Sequence, residues 1–249
     1  MITFFRKIRI QLMEQKKVSK YLLYAVGEIL LVVIGILIAV GINDWNEGKK
    51  NHQKVRNNTI LLIENLVLDS INIVETNSYV EMDRNRLNDF ERRINGPNAS
   101  IDTLIKIASN EYKPGVSAIR FENSNAYNTM VMSGEINLFE KDLLEEIYGL
   151  YTLQERTNLR ANDSFETYIN RLNNYNSRYF FDNSNNLVIE GALYEKLWSN
   201  IDEKDFIAKF NSMASGIRLI YNQQQGYTDR TSVAINELLP KLRQLLAND

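Results

Sequence analysis

The stretch YLLYAVGEILLVVIGILIAVGINDW, residues 21 to 45, decides how the rest of the chain is read. From Tyr21 to Ile42, 14 of 22 residues are Leu, Ile or Val, and Glu28 carries the only charge. A helix over this run is about 33 Å long, matching about 30 Å of bilayer hydrocarbon. Each aliphatic side chain contributes about −0.3 to −0.6 kcal/mol to insertion, so fourteen contribute about −4 to −8, against about +3 for one central acid. The balance favours insertion and predicts a transmembrane helix over residues 21–42.

Ala39-Val40-Gly41 also fits the small-x-small pattern of a signal-peptide cleavage site. The apolar run exceeds the roughly 7 to 15 residues of a signal core, so an uncleaved signal anchor is the preferred reading. Arg6, Lys7, Arg9, Lys16, Lys17 and Lys20 precede the run, and Lys49, Lys50, Lys54 and Arg56 follow it. The basic excess before the run predicts a cytoplasmic N-terminus. Tyr21 and Tyr24 at one edge and Trp45 at the other suit the interface, where an aromatic body and a polar tip are both satisfied.

Outward from the span, charge is unevenly spread. The first 20 residues hold six basic side chains and one acidic, which leaves the remainder at −7 when the whole chain is −2. Phe5, Ile8 and Leu12 share a helical face among the basic residues, as in an interfacial segment on an anionic leaflet. A mildly acidic remainder lacks the attraction that nucleic-acid binding needs. With no cysteine and one histidine, His52, neither a thiolate nor a His-rich metal site is possible. No cofactor or metal site is expected.

Residues 43–249 are expected to form one α-helical extracytoplasmic domain, because three prolines and 11 glycines in the whole chain leave few helix breakers. The first helix should continue to Ile94, with Ile60, Ile63, Val67, Ile71 and Val74 as its apolar stripe, resumed by Leu87, Phe90 and Ile94. Asn95-Gly96-Pro97-Asn98 then stops it. Ser100 caps a short helix ending before Lys113-Pro114-Gly115, and another helix runs from about Ser124 to Met132. A long helix from about Glu140 to Phe180 buries Leu143, Ile147, Leu150 and Leu153. Residues 183–191 read as a loop with at most a short strand.

The last helix begins near Asp202, with Phe206, Phe210, Met213, Ile217 and Ile220 on one stripe that continues through Gln224, Tyr227, Thr231, Ala234 and Leu238. Pro240 either kinks it or starts a final helix. Long helices with matching stripes predict an all-α antiparallel bundle behind a single membrane span. A coiled-coil dimer through the last helix is the alternative, with Gln224 and Thr231 as weak points in its seam. Phe121-Glu122-Asn123-Ser124-Asn125 resembles Phe181-Asp182-Asn183-Ser184-Asn185, and Asn57, Asn98 and Asn162 begin N-x-Ser/Thr triplets. In an Asn-rich chain neither pattern carries a function.

Residues 4 to 47 resemble the opening of a bacterial, Bacteroidota-type family of single-pass inner-membrane proteins of unknown function. The likeness lies in Phe4 to Arg9 (FFRKIR), Tyr21 to Glu28 (YLLYAVGE) and Ile42 to Glu47 (INDWNE), with Asp44 where relatives more often have Asn. Beyond this region it rests on Asn125-Ala126-Tyr127 and Ser133-Gly134-Glu135. The resemblance implies an inner-membrane protein with its bulk in the periplasm and brings no activity.

Within the span, Ala25, Glu28, Val32, Gly35 and Ala39 fall near one helical stripe, and Gly35 with Ala39 has the small-xxx-small spacing that admits a neighbouring helix. Glu28 sits near cytoplasmic headgroups, bonds across a helix pair, or titrates to couple ion flow to work. The leading functional reading is a non-enzymatic interaction or assembly module that meets the bilayer and pairs with itself or another membrane or periplasmic protein. Signal relay is the variant. A carboxylate-dependent hydrolase is the rival class, but Asp142, Glu145 and Glu146 also match a solvated helix face.

Overall fold

The computed structural model describes residues 18–118, 121, 123–179, 181 and 187–248, and it holds no strand among them. Its helices are α1 (Val18–Ile94), α2 (Ile101–Lys106), α3 (Asn125–Ser133), α4 (Lys141–Asn176), α5 (Gly191–Ser199) and α6 (Glu203–Ala247). A π-helical turn, Ile107–Glu111, extends α2, and a 3-10 turn, Glu135–Leu138, leads from α3 toward α4. The chain divides into two units, Met1–Val55 and Arg56–Asp249.

In the first unit, α1 carries one segment long and apolar enough to cross a membrane, with none of its most apolar window buried. The basic segment 1–17 lies outside the described residues, as do the side chains of Tyr21 and Tyr24. Lys49 places its ammonium 4.1 Å from the centre of the Trp45 ring, one turn away on the same helix.

In the second unit the rest of α1 packs with α4 and α6. Glu146 meets Lys241 at 2.5 Å and Arg178, just past α4, meets Asp205 at 3.0 Å, so α4 and α6 run antiparallel. Thr228 pairs with Asn77, Tyr221 with Asp83 and Arg218 with Glu91, so α6 also opposes α1. It follows that α1 and α4 are parallel, which departs from the simple alternation expected of the sequence. The described residues between 95 and 140 carry the chain back along the bundle before α4 starts, an overhand connection of the kind seen in bundles with crossovers.

The helix ends follow local chemistry. Ser100 accepts a bond from the Thr103 amide at 3.3 Å, Asp202 does the same for Asp205 at 3.2 Å, and Gly134 closes α3 at φ +74°. α4 ends at Asn176 rather than near Phe180, which is outside the described residues. The chain leaves the helix there because Tyr179 and Phe181 turn into the core. α5 was not expected from the sequence: none of its residues is buried, and only Trp198 approaches the core, edge-on to Phe206 at 6.0 Å. α6 passes through Pro240 as one helix. Pro240 has no N–H to offer the Asn236 carbonyl, but buried Leu238, Leu239 and Leu242 hold the helix on both sides.

The stripe expected to bury α1 does not face the core: Ile60, Ile71 and Val74 are exposed, and Ile63 and Val67 are half-buried. Leu62, Leu66, Asp69, Ile73 and Val80 point into the bundle, while Ile60, Leu61, Leu68, Ile71 and Val74 are exposed, Val74 at 70%. Two carboxylates on the buried stripe, Asp69 and Asp83, give it the charge pattern of a solvent face, and Ile60, Ile71 and Val74 lie opposite. Leu87 and Phe90 are buried as expected.

Candidate functional site

A polar belt crosses the bundle between two apolar cores. Its centre is Asp69, which has no solvent exposure. Asn123 donates to Asp69 Oδ1 at 2.7 Å and Gln154 donates to Oδ2 at 2.6 Å. Burial pushes the Asp69 carboxyl up from its ordinary 3.8, and the two amide donors pull the other way without cancelling it. From α6 the belt receives Gln224, Thr228 and Thr231, all buried, with Thr228 bonded to Asn77 at 3.1 Å. The α6 stripe anticipated from Phe206 to Leu238 is therefore the core stripe of the bundle except at Tyr227 and Ala234, where the neighbouring Thr228 and Ile235 are buried instead. Covered by α1 and α4, its Gln224 and Thr231 are not free to form a coiled-coil seam.

The belt also fixes the returning chain. The Phe121 amide donates to Asn158 Oδ1 at 3.0 Å, and Asn158 Nδ2 donates back to the Phe121 carbonyl at 2.8 Å. This satisfies backbone that no helix or strand would satisfy. Further along the bundle Tyr168 donates to the Pro114 carbonyl at 2.8 Å, and burial pushes the Tyr168 hydroxyl up to about 12. Phe121 and Phe181, the first residues of the two look-alike stretches, are both buried anchors. Residues 182–186 lie outside the described ones.

Beside the belt, an open groove of about 320 Å³ lies between the start of α3 and the middle of α4. Tyr127 forms one wall, stacked on Tyr151 at 4.1 Å between ring centres. Thr152, Glu155, Leu159 and Asn162 form the other, at spacings of three, four and three that place them on one face of α4. Among the described residues Glu155 makes no ion pair. Nothing in the sequence had marked this groove. Its legible signal was the same helical spacing that reveals a core face, here in polar letters.

Other sequence-predicted residues are placed as follows. Ala25, Glu28, Val32, Gly35 and Ala39 lie on α1 in the first unit, and a Cβ at Gly35 would meet nothing within 4 Å. His52 is also on this part of α1. Asp142 and Glu145 are exposed, Glu145 facing Lys141 at 3.9 Å, and Glu146 is held by Lys241. These three acids do not line the groove. Among the described residues no three acidic, His or Cys side chains gather where they could hold a metal. Asn125-Ala126-Tyr127 and Ser133-Gly134-Glu135 bracket α3, and Glu135 accepts from Asn58 of α1 at 3.0 Å.

These features define a class: a helical bundle whose first helix also carries a segment long and apolar enough to cross a membrane. Residues 28–210 match the family of unknown function DUF6090, and the chain belongs to that family. The matched region contains Asp69, Asn123, Gln154 and every residue of the groove, and it ends within α6. Neither the curated proteins nor the solved structures yield a match.

Proposed function

We infer that this protein is a membrane-anchored interaction or assembly module without enzymatic activity, held in the inner membrane by residues 21–42 with its N-terminus cytoplasmic and its bundle in the periplasm. The observation that carries the reading is the outer face of α1, where Ile60, Leu61, Leu68, Ile71 and Val74 are exposed together. An uncovered apolar stripe costs solvation on a soluble surface and is relieved by association. The partner is a second copy or another membrane or periplasmic protein. In the span, the face of Ala25, Glu28, Val32, Gly35 and Ala39 supplies a further pairing surface of small residues around one acid. Glu28 favours a second reading, an accessory subunit that relays a signal or couples ion movement through that acid.

The absence of native cysteine makes the test direct. Single cysteines at Ile71 and Leu68 should crosslink in isolated membranes, and Leu68→Glu should abolish crosslinking at Ile71 while leaving the helical circular-dichroism signal unchanged. Glu28→Gln and Gly35→Leu ask the same of the span. Crosslinking at Ile71 that persists in Leu68→Glu would remove the outer-face reading.

A further inference from the structure

Three of the grooves on the bundle, each of about 320 to 390 Å³, differ in chemistry. One, between the end of α1 and the start of α6, is floored by Leu87, Phe90, Leu104 and Phe210 and crossed by the Arg218–Glu91 pair at 2.8 Å. It is mostly apolar, with Asn95, Asn211 and Ser215 beside the ion pair, and nothing in the structure shows what covers it. A second, lined by Asn77, Glu81, Arg84, Asn85, Asn88 and Gln225, is polar but has no aromatic wall, and Arg84 is already bonded to Gln225. The third, beside the polar belt, combines tyrosine rings, amides, hydroxyls and a carboxylate with no Lys or Arg among the described residues that line it.

That combination excludes several ligand classes. Among the described residues no Lys or Arg lines the groove and Glu155 does, so a phosphate or carboxylate ligand would meet a negative charge and no counter-ion there. One carboxylate does not make a divalent-cation site. Only Phe121 and Leu159 are aliphatic or plain aromatic, too little to bury an acyl chain. What remains is a neutral ring that presents hydroxyls at its edge and C–H bonds on its face.

The geometry points to a saccharide-binding site in this groove. A sugar ring lays its C–H face against the Tyr127 wall, where the negative ring face attracts the polarised C–H bonds. Its hydroxyls donate to the Glu155 carboxylate, the strongest acceptor available, and exchange bonds with the Asn162 amide and the Thr152 hydroxyl. The floor is fixed in advance: Gln154 is tied to Asp69, and Asn158 clasps the Phe121 backbone in both directions. Fixing the floor before the ligand arrives lowers the ordering cost of binding. The groove volume of about 320 Å³ is at the small end of ligand pockets and suits a mono- or disaccharide. This site does not depend on the outer face of α1, so either can fail alone.

The test uses the full chain in lipid nanodiscs and saturation-transfer NMR with glucose, N-acetylglucosamine, cellobiose, maltose and di-N-acetylchitobiose, each up to about 10 mM. Transfer to at least one sugar is expected. It should fall about tenfold or more in Glu155→Gln and in Asn162→Ala, whose exposed positions leave the fold intact, and stay unchanged in Leu68→Glu. Absence of transfer from all five overturns the assignment, as does transfer that survives both groove variants. Binding of tetramethylammonium with no sugar bound would also overturn it, making the groove a cation site.

Discussion

The two ends of the bundle are built from different materials. At the end nearest residue 56, buried Leu62, Leu66, Ile147, Leu150, Leu238 and Leu242 make an aliphatic core between helices. At the other, Tyr112, Tyr168, Tyr175, Tyr179, Phe181, Phe206 and Phe210 form one aromatic cluster, with Tyr175 and Phe181 stacked at 4.9 Å. Helices satisfy their own backbone, so aliphatic packing suffices between them. The aromatic end receives two irregular segments, and tyrosine supplies both apolar area and a hydroxyl for stray backbone groups. Tyr168 meets the Pro114 carbonyl, and Tyr179 meets the Asp202 carbonyl at 3.3 Å and Asp205 at 2.9 Å.

This contrast can be broken or sharpened by substitution. The largest effect is expected from Phe206→Ala, which removes a fully buried ring shared by Tyr175, Tyr179 and Trp198. It should cost about 3–5 kcal/mol in urea unfolding of the bundle, and a smaller loss than for Leu238→Ala would sink the view that the aromatic end carries the stability. Next come the hydroxyls. Tyr168→Phe leaves the Pro114 carbonyl without its donor and should cost about 1–3 kcal/mol. Tyr175→Phe should cost close to nothing, since the Tyr175 hydroxyl is buried with no partner among the described residues. Equal costs for the two would show that ring area alone matters.

The smallest effect concerns the belt between the two cores. Because burial raises the Asp69 carboxyl above its unfolded value, the native protein holds this proton to higher pH than the unfolded chain. Stability from this group therefore falls as pH rises from about 4 through the raised value, the opposite of a salt-bridged carboxylate. Asp69→Asn should flatten that fall in thermal melts recorded against pH. An unchanged slope in the variant would place its origin in another group.

Much of this architecture was legible from local chemistry. Ser100 announced a helix start through capping, and the α6 stripe from Phe206 to Leu238 is buried where its spacing gave except at Tyr227 and Ala234, which are half-buried beside the core residues Thr228 and Ile235. The misreading of α1 has a definite cause. Both of its long faces carry apolar residues, and the buried one holds Asp69 and Asp83, which bond to Gln154 and Tyr221 85 and 138 residues away, Asp83 also pairing with nearby Arg86. A carboxylate satisfied that far along the chain looks solvated in a local window. The groove was missed for a related reason, since it needs α3 and α4 together and neither advertises it alone. α5 escaped notice because it buries nothing.

The parallel course of α1 and α4 also bears on synthesis. No tight hairpin joins them, and the bonds that close the bundle span up to 151 residues, from Asn77 to Thr228. Contacts of that separation pay their loop entropy before any packing rewards it, so assembly should be slow for an all-helical protein. On the ribosome, the first helix of the bundle must wait with its inward face bare until the final 45-residue helix has been made.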